Sequence, residues 1–244
     1  MGRTVFYCGG STGACVAAKK RLMQQGLEFS ESPGPEVTDL LLDIPSLRSD
    51  GKLRSGLYKE TVLQQLPDRI RIWGGKLKDF GEQYQLQDLL EDPVYLSGNA
   101  AITADCALRL TGPRLNTTWE DCRVLIIGWG RIGKNLCRML RALGAQVTVC
   151  ARKPRDRALL SSCHFPVLKP EDLDGRGFDV IFNTAPAAVM EESQLGDCPL
   201  PVDLASQPGL LGRTVIRANG LPGKYAPVSS GKLIADTILY ALGR

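Results

Sequence analysis

The chain has 244 residues, 43% of them apolar and 23% charged, which is ordinary for a globular protein and long enough for two modest cores. The net charge of +4 comes without a dense Lys/Arg stripe interleaved with aromatics, which argues against nucleic acid as a partner. No apolar run approaches the roughly 18 residues that a membrane span needs, and the single histidine, His164, excludes a His-cluster metal site.

The eight cysteines form no C-x-x-C pair, so reduced thiols and no metal are expected. The first residues lack a basic region followed by an apolar stretch and run directly into a strand, so a cytoplasmic protein is expected. That strand is Thr4-Val5-Phe6-Tyr7. Gly9-Gly10-Ser11-Thr12-Gly13 turns the chain into a helix over 14–25, closed by Gly26. A buried strand is predicted at 40–44, a loop at 46–56, a helix at 58–66 and a strand at 69–73. A short helix at 85–91 and a strand at Val94 to Leu96 follow. Ile102, Cys106 and Leu110 recur every four residues and predict a helix over 99–111, ended by Gly112-Pro113.

The second half is more regularly patterned. Arg123 to Ile127 is an apolar run suited to a central parallel strand. Ile132, Leu136, Leu140 and Leu143 give one face of a helix over 131–143, capped by Gly144. Strands are predicted at 146–150, 179–183, 200–204 and 214–218, and a last helix at 229–242. Strands alternating with helices throughout imply an α/β fold with parallel sheets. The expected organisation is two Rossmann-like domains: a smaller flavodoxin- or Rossmann-like domain over 1–98, a connecting helix at 99–113, a dinucleotide-binding Rossmann domain over 114–228, and a C-terminal helix at 229–244. By analogy with two-domain dehydrogenases, that last helix packs back across the domains.

Gly128-Trp129-Gly130-Arg131-Ile132-Gly133 follows a buried strand directly and opens an amphipathic helix, the context a G-x-G-x-x-G motif requires. The first glycine allows the turn, the second lets backbone approach a pyrophosphate, and the third lets helix and strand pack closely. NAD enzymes place Asp or Glu about 20 residues further on, to bind the ribose 2′-hydroxyl. Here the second strand ends in Val149-Cys150-Ala151-Arg152-Lys153, with no acid until Asp156. Arg152 suits a 2′-phosphate through a planar charged pair and Lys153 adds a point charge, so NADP(H) is expected over NAD(H). The alternative is a solvated basic loop. The turn at 9–13 lacks the G-x-G-x-x-G spacing and reads as structural.

Three later segments fall at predicted strand ends, where open α/β folds bind ligands. They are Asn183-Thr184-Ala185-Pro186, Asp203-Leu204-Ala205-Ser206-Gln207-Pro208-Gly209, and Gly220-Leu221-Pro222-Gly223 leading to Ala226-Pro227-Val228-Ser229-Ser230. Singly, each is plain loop punctuation. Together with Gly98-Asn99-Ala100-Ala101-Ile102-Thr103-Ala104 and the glycine motif, they resemble the dipicolinate synthase A-subunit family, itself related to the NAD-binding domains of D-2-hydroxyacid dehydrogenases. The resemblance runs over residues 94–242. It implies a two-domain Rossmann-like fold, NADP-linked formation of dipicolinate from a dihydrodipicolinate-type precursor, partnership with a flavoprotein B subunit, and bacterial sporulation as context. Leu210, where the family carries a second glycine, the Ser229-Ser230 pair and the weakly matching N-terminal part depart from its pattern, and put substrate identity in question more than the cofactor.

The cofactor contacts read this way are Gly128, Trp129, Gly130, Arg131, Ile132, Gly133, Arg152, Lys153, Asn183, Thr184, Pro186, Leu204 and Ala205. Asn99, Thr103, Ser206, Ser229 and Ser230 are the candidates for a substrate cleft. Hydroxyacid oxidation needs a catalytic His. His164, beyond the second helix of the Rossmann unit, lies at the wrong end of the chain and reads as a surface residue. Removing hydride from a dihydropyridine instead draws on aromatisation, so the protein need only position the ring. Three alternatives stay open: another small heterocyclic or imino-acid substrate, a non-catalytic NADP-binding partner protein, and assembly with further copies of the chain.

Overall fold

The computed structural model describes residues 3–244. They divide into two compact units. One takes the chain up to Asn99 together with Pro222–Arg244, and the other is Ala100–Leu221.

The first unit contains β1 (Val5–Cys8), α1 (Gly13–Gln24), β2 (Glu28–Ser30), β3 (Asp39–Leu41), α2 (Lys59–Leu63), β4 (Arg71–Gly74) and β5 (Gln85–Asp88), and then the start of α3 (Pro93–Thr111). Its five strands are parallel, in the order β2-β1-β3-β4-β5, one of the two common doubly wound orders. One core packs Phe6, Leu41 and Trp73 with Cys15 and Leu22 of α1, and with Ile234, Ile238 and Leu239 near the C-terminus. The opposite core packs Leu40, Leu42, Ile70 and Ile72 with Val62 and Phe80.

Two expectations fail here. Residues 85–91 do not form a helix. Gln85, Leu86 and Gln87 alternate in exposure along β5, and the Asp88 carboxylate ends the strand by accepting the N–H groups of Leu77 and Leu90 (both 2.9 Å). Val94 to Leu96 is no strand either. Asp92 accepts the Tyr95 N–H at 2.7 Å, and Pro93 opens α3 six residues ahead of the expected start at 99. Asp-Pro is a helix-start signal, because proline is tolerated in the first helical turn.

The second unit follows with β6 (Arg123–Ile127), α4 (Arg131–Ala142), β7 (Gln146–Cys150), α5 (Pro154–Ser162), β8 (Val167–Leu168), β9 (Val180–Asn183), β10 (Leu200–Asp203) and β11 (Ile216–Arg217). The sheet runs β8-β7-β6-β9-β10-β11, all parallel. That is the six-stranded dinucleotide-binding order, whose direction reverses between β6 and β9. Leu125, Ile127 and Ile181 pack with Leu195 and Leu210 in its core. The segment 220–223 is not a plain strand-end loop: Gly220 takes φ +67 and the chain enters a one-turn helix, α6 (Leu221–Tyr225). The terminal helix α7 (Pro227–Ala241) belongs to the first unit, where Gly231 lets it meet α1: a Cβ there would stand 2.6 Å from Ala14 O.

Candidate functional site

The carboxyl ends of β6, β7, β9 and β10 share one edge of the six-stranded sheet, and their loops carry most of the expected contacts. The three glycines after β6 have three different reasons. Gly128 sits at φ +104, and a Cβ on it would come within 2.6 Å of Thr184 Oγ1. A Cβ on Gly133 would lie 2.1 Å from Gly128 O, so only glycine lets α4 start this close to β6. Gly130 is unlike both. Its φ of −86 suits any residue, and a Cβ there would meet nothing within 4 Å. Nothing among the described residues demands glycine at 130, whereas a pyrophosphate drawn against the backbone would. Gly130 is also the N-cap of α4 and gives no side-chain cap, and the first turn holds no acid, so no side chain of the helix start competes for its N–H groups, an arrangement suited to an anion.

Arg131 and Lys134 are exposed on α4, and Lys134 Nζ stands 5.7 Å from the centre of the Trp129 ring. The Trp129 indole packs toward Phe165, with ring centroids 6.4 Å apart, and its Nε1 is buried with no hydrogen-bond partner among the described residues.

At the end of β7, Cys150 and Ala151 are buried, while Arg152 and Lys153 are exposed. The basic cluster separates into structural and available cations. Arg157 donates to the carbonyls of Ala151 (2.8 Å) and Arg152 (2.7 Å) and so fixes the turn. Arg155 pairs with its neighbour Asp156 at 3.7 Å. Neither Arg152 nor Lys153 has a carboxylate partner among the described residues, and no acid follows β7 before Asp156.

The ends of β9 and β10 are tied together. Asn183 is fully buried and its amide faces inward, donating to Asp203 Oδ1 at 2.9 Å and accepting the Ala185 N–H at 3.0 Å. The Thr184 hydroxyl donates to Ile127 O at 3.0 Å, bracing the glycine turn. Neither side chain points its polar atoms outward, so these two expected contacts shape the rim. Asp203 is the hub. Its carboxylate accepts from Asn183, from the N–H groups of Ala205 (3.2 Å), Gly209 (2.7 Å) and Leu210 (3.1 Å), and from Arg217. This wraps 204–210 into a tight loop with Leu204 and Ala205 buried and Ser206 exposed at its tip. Pro186 is exposed on the neighbouring loop.

Sequence reasoning places Asp203 within a motif without giving it a role, and passes over Arg217. A lone acid at the end of an apolar strand, with an Arg in register on the next strand, is the signal that could have found them.

Of the other candidates, Asn99 and Thr103 lie four residues apart on α3, and Thr103 is buried. Ser229 is exposed in the first turn of α7, while Ser230 is buried and donates to Ala226 O at 3.0 Å, which engages its hydroxyl inside its own helix. His164 is exposed with φ +60 after α5. With Arg123, Arg141 and Gln146 it lines a concavity of 390 Å³ at the amino ends of the strands, the edge opposite the glycine motif. Among the described residues no group of His, Cys, Asp and Glu is arranged to hold a metal, and no helix is long and apolar enough to cross a membrane.

No family model matches the chain. It is 24% identical over 235 residues to the dipicolinate synthase A-subunit of Bacillus subtilis (strain 168), covering 86% of this chain and 79% of that protein. The crystal structure of the dipicolinate synthase A-subunit from Bacillus halodurans superposes with a TM-score of 0.84 at 22% identity, over 99% of this chain and 98% of that one. The NAD-complexed D-isomer specific 2-hydroxyacid dehydrogenase of Lactobacillus delbrueckii ssp. bulgaricus shares the fold more distantly, with a TM-score of 0.52 at 11% identity, over 98% of this chain and 97% of that one. The resemblance carried by the motifs is therefore borne out: the chain is similar to the dipicolinate synthase A-subunit and has a Rossmann-like dehydrogenase fold.

Proposed function

We propose that the chain is an NADP(H)-dependent oxidoreductase that forms dipicolinate, or a closely similar aromatic dicarboxylate, from a dihydropyridine-type precursor. The observation that carries the cofactor part is the pairing of Gly130, which no protein contact requires, with two uncommitted cations at the end of β7. Backbone N–H groups at the start of α4 hold the pyrophosphate, and Arg131 adds a cation at its edge. Arg152 and Lys153 hold the 2′-phosphate. NADP⁺ supplies a hydride acceptor. The substrate ring gives up one hydride and releases one proton to solvent, and aromatisation supplies the driving force.

The chain's own contribution is then to place the ring and keep the rim rigid, which suits a strand edge where Asn183, Thr184 and Asp203 are engaged with each other and with backbone. Thr103 and Ser206 are the substrate contacts we retain. Hydroxyacid oxidation by an acid–base histidine is disfavoured, because His164 stands at the opposite edge of the sheet. The similarity to a protein named as one component of a synthase supports partnership with a second component, a flavoprotein, and a cytoplasmic location belongs to the same reading.

The test is a fluorescence titration with NADPH and NADH, using Trp129 inside the motif as reporter. NADPH is expected to bind at least about tenfold more tightly, with the difference removed in Arg152→Ala. Equal affinities in the unaltered protein would refute the 2′-phosphate assignment. Formation of NADPH from NADP⁺ and dihydrodipicolinate, with and without a flavoprotein partner, then separates an enzyme from a binding module. Alanine at Thr103 and Ser206 that left turnover unchanged would remove them from the substrate site.

A further inference from the structure

The first unit holds a pair of cysteines that the nucleotide chemistry does not use. Cys8 is the last residue of β1, and Cys15 lies in the first turn of α1, on the far side of the turn 9–13. Their sulfurs stand 3.6 Å apart in a thiol–thiol hydrogen bond, the only one between cysteines among the described residues. Their access is unequal: Cys15 is fully buried and Cys8 is partly exposed. Gly10 makes the approach possible, since a Cβ there would come within 2.4 Å of Cys15 Sγ. Closing to the disulfide length of about 2.05 Å asks for a movement of about 1.5 Å.

We propose that Cys8 and Cys15 form a reversible intramolecular disulfide on exposure to a peroxide, with Cys8 as the attacking thiol and Cys15 as the resolving one. Their electrostatics agree with this division. The hydrogen bond from Cys15 holds the Cys8 thiol below its usual range against the opposing effect of burial. The same bond together with burial keeps Cys15 protonated, well above its usual range. The thiolate is the reactive form, and the more accessible sulfur is the one whose ionisation is favoured.

In the first step the Cys8 thiolate attacks one peroxide oxygen, the O–O bond breaks, and a sulfenic acid and hydroxide form. In the second the Cys15 sulfur attacks Cys8 Sγ, the S–O bond breaks, and the departing oxygen leaves as water with the Cys15 proton. Two thiols and one hydrogen peroxide give one disulfide and two waters. The resulting bond bridges β1 to α1 across the loop that Asp43 holds, so oxidation stiffens a segment already fixed at its other side.

Tryptic cleavage after Arg3 and Lys19 places both cysteines, and no other, in the peptide Thr4–Lys19. The full-length protein is treated with hydrogen peroxide, unfolded, alkylated with iodoacetamide and digested. The expected peptide carries no label and is about 2 Da lighter than the reduced form, for the loss of two hydrogens. Dithiothreitol before alkylation is expected to restore two labels. In Cys15→Ser, with no resolving thiol, Cys8 is expected to retain oxygen or to take up added glutathione. Two labels on Thr4–Lys19 after peroxide, or added oxygen on Cys8 beside a labelled Cys15 in the unaltered protein, would overturn the proposal. That result needs no variant to fold.

Discussion

The Asp43 carboxylate sits over the start of α1, with Oδ1 accepting the Thr12 N–H at 3.0 Å and Oδ2 accepting that of Ser11 at 2.9 Å. The Thr12 hydroxyl donates to the same carboxylate and caps α1 by accepting the Cys15 N–H at 3.3 Å. The protein thus has two glycine-rich strand-to-helix turns that differ in what meets their N–H groups. After β1 the anion is the chain's own buried aspartate; after β6 Gly130 offers no side chain at all. The Asp43 carboxylate already meets the N–H groups of Ser11 and Thr12 that a phosphate would otherwise use, which favours a structural turn at 9–13.

Asp43→Ala removes that internal anion and takes the acceptor from the N–H groups of Ser11 and Thr12 on a partly exposed turn. The expected cost is about 1–2 kcal/mol, seen as a lower urea midpoint, with NADPH affinity unchanged. Asp43→Asn keeps one acceptor oxygen and is expected to lose less. An unchanged midpoint in Asp43→Ala would mean that the clamp does not hold the unit together.

Asp203 plays a comparable part at the other sheet, with more at stake, because its carboxylate is nearly inaccessible and accepts from three backbone N–H groups, one amide and one guanidinium. Asp203→Ala strands buried donors and is expected to cost about 3–5 kcal/mol. Arg217→Ala is expected to cost about 1 kcal/mol or less, because that side chain is 41% exposed and the carboxylate keeps its other donors. Thermal unfolding of the two variants checks the ordering. Equal losses would show that the ion pair, and not the backbone clamp, carries the loop.

What the sequence made legible follows from how local each signal is. The β6–α4 unit was readable to within a residue because an apolar run, a spaced glycine motif and a 3.6-residue stripe coincide there. Arg152 was readable as a cation at a strand end. The partition of its neighbours was not, since Arg157 bonds carbonyls that sequence spacing does not reveal. β5 and the start of α3 were misread because Gln85 to Asp88 offers a single apolar side chain, Leu86, and because the capping role of Asp92 depends on a hydrogen bond three residues on. The inward turn of the Asn183 amide was invisible for the same reason: its partner Asp203 is twenty residues away.

Alkaline pH is expected to destabilise the fold. Burial pushes the thiols of Cys137 up to about 12 and those of Cys150 and Cys198 up to about 11, from 9.0, and the Tyr95 phenol up to about 12, from 10.0. The unfolded chain therefore sheds these protons first. Between about pH 9 and 12 it binds fewer protons than the native state, and stability falls as pH rises. Their contribution is fully present below pH 9. Melting curves from pH 7 to 10.5 should show a steady loss above 9, reduced when Cys137 is replaced by Ala. A flat profile would contradict the burial of these thiols.

The two glycines of the motif separate folding from binding. Gly133→Ala places a methyl 2.1 Å from Gly128 O, a backbone atom that cannot give way without shifting β6 from α4. It is expected to lower stability by about 1–3 kcal/mol and to weaken cofactor binding along with it. Gly130→Ala meets open space at a φ of −86 that alanine adopts freely, so its melting temperature should match or slightly exceed that of the unaltered protein. Its methyl group stands where a pyrophosphate would approach the backbone, so NADPH affinity is expected to fall about tenfold or more. Calorimetry for stability and Trp129 fluorescence for binding measure the two effects independently. A Gly130→Ala protein that binds NADPH normally would show that no phosphate sits against that turn, and would remove the nucleotide from this edge of the sheet.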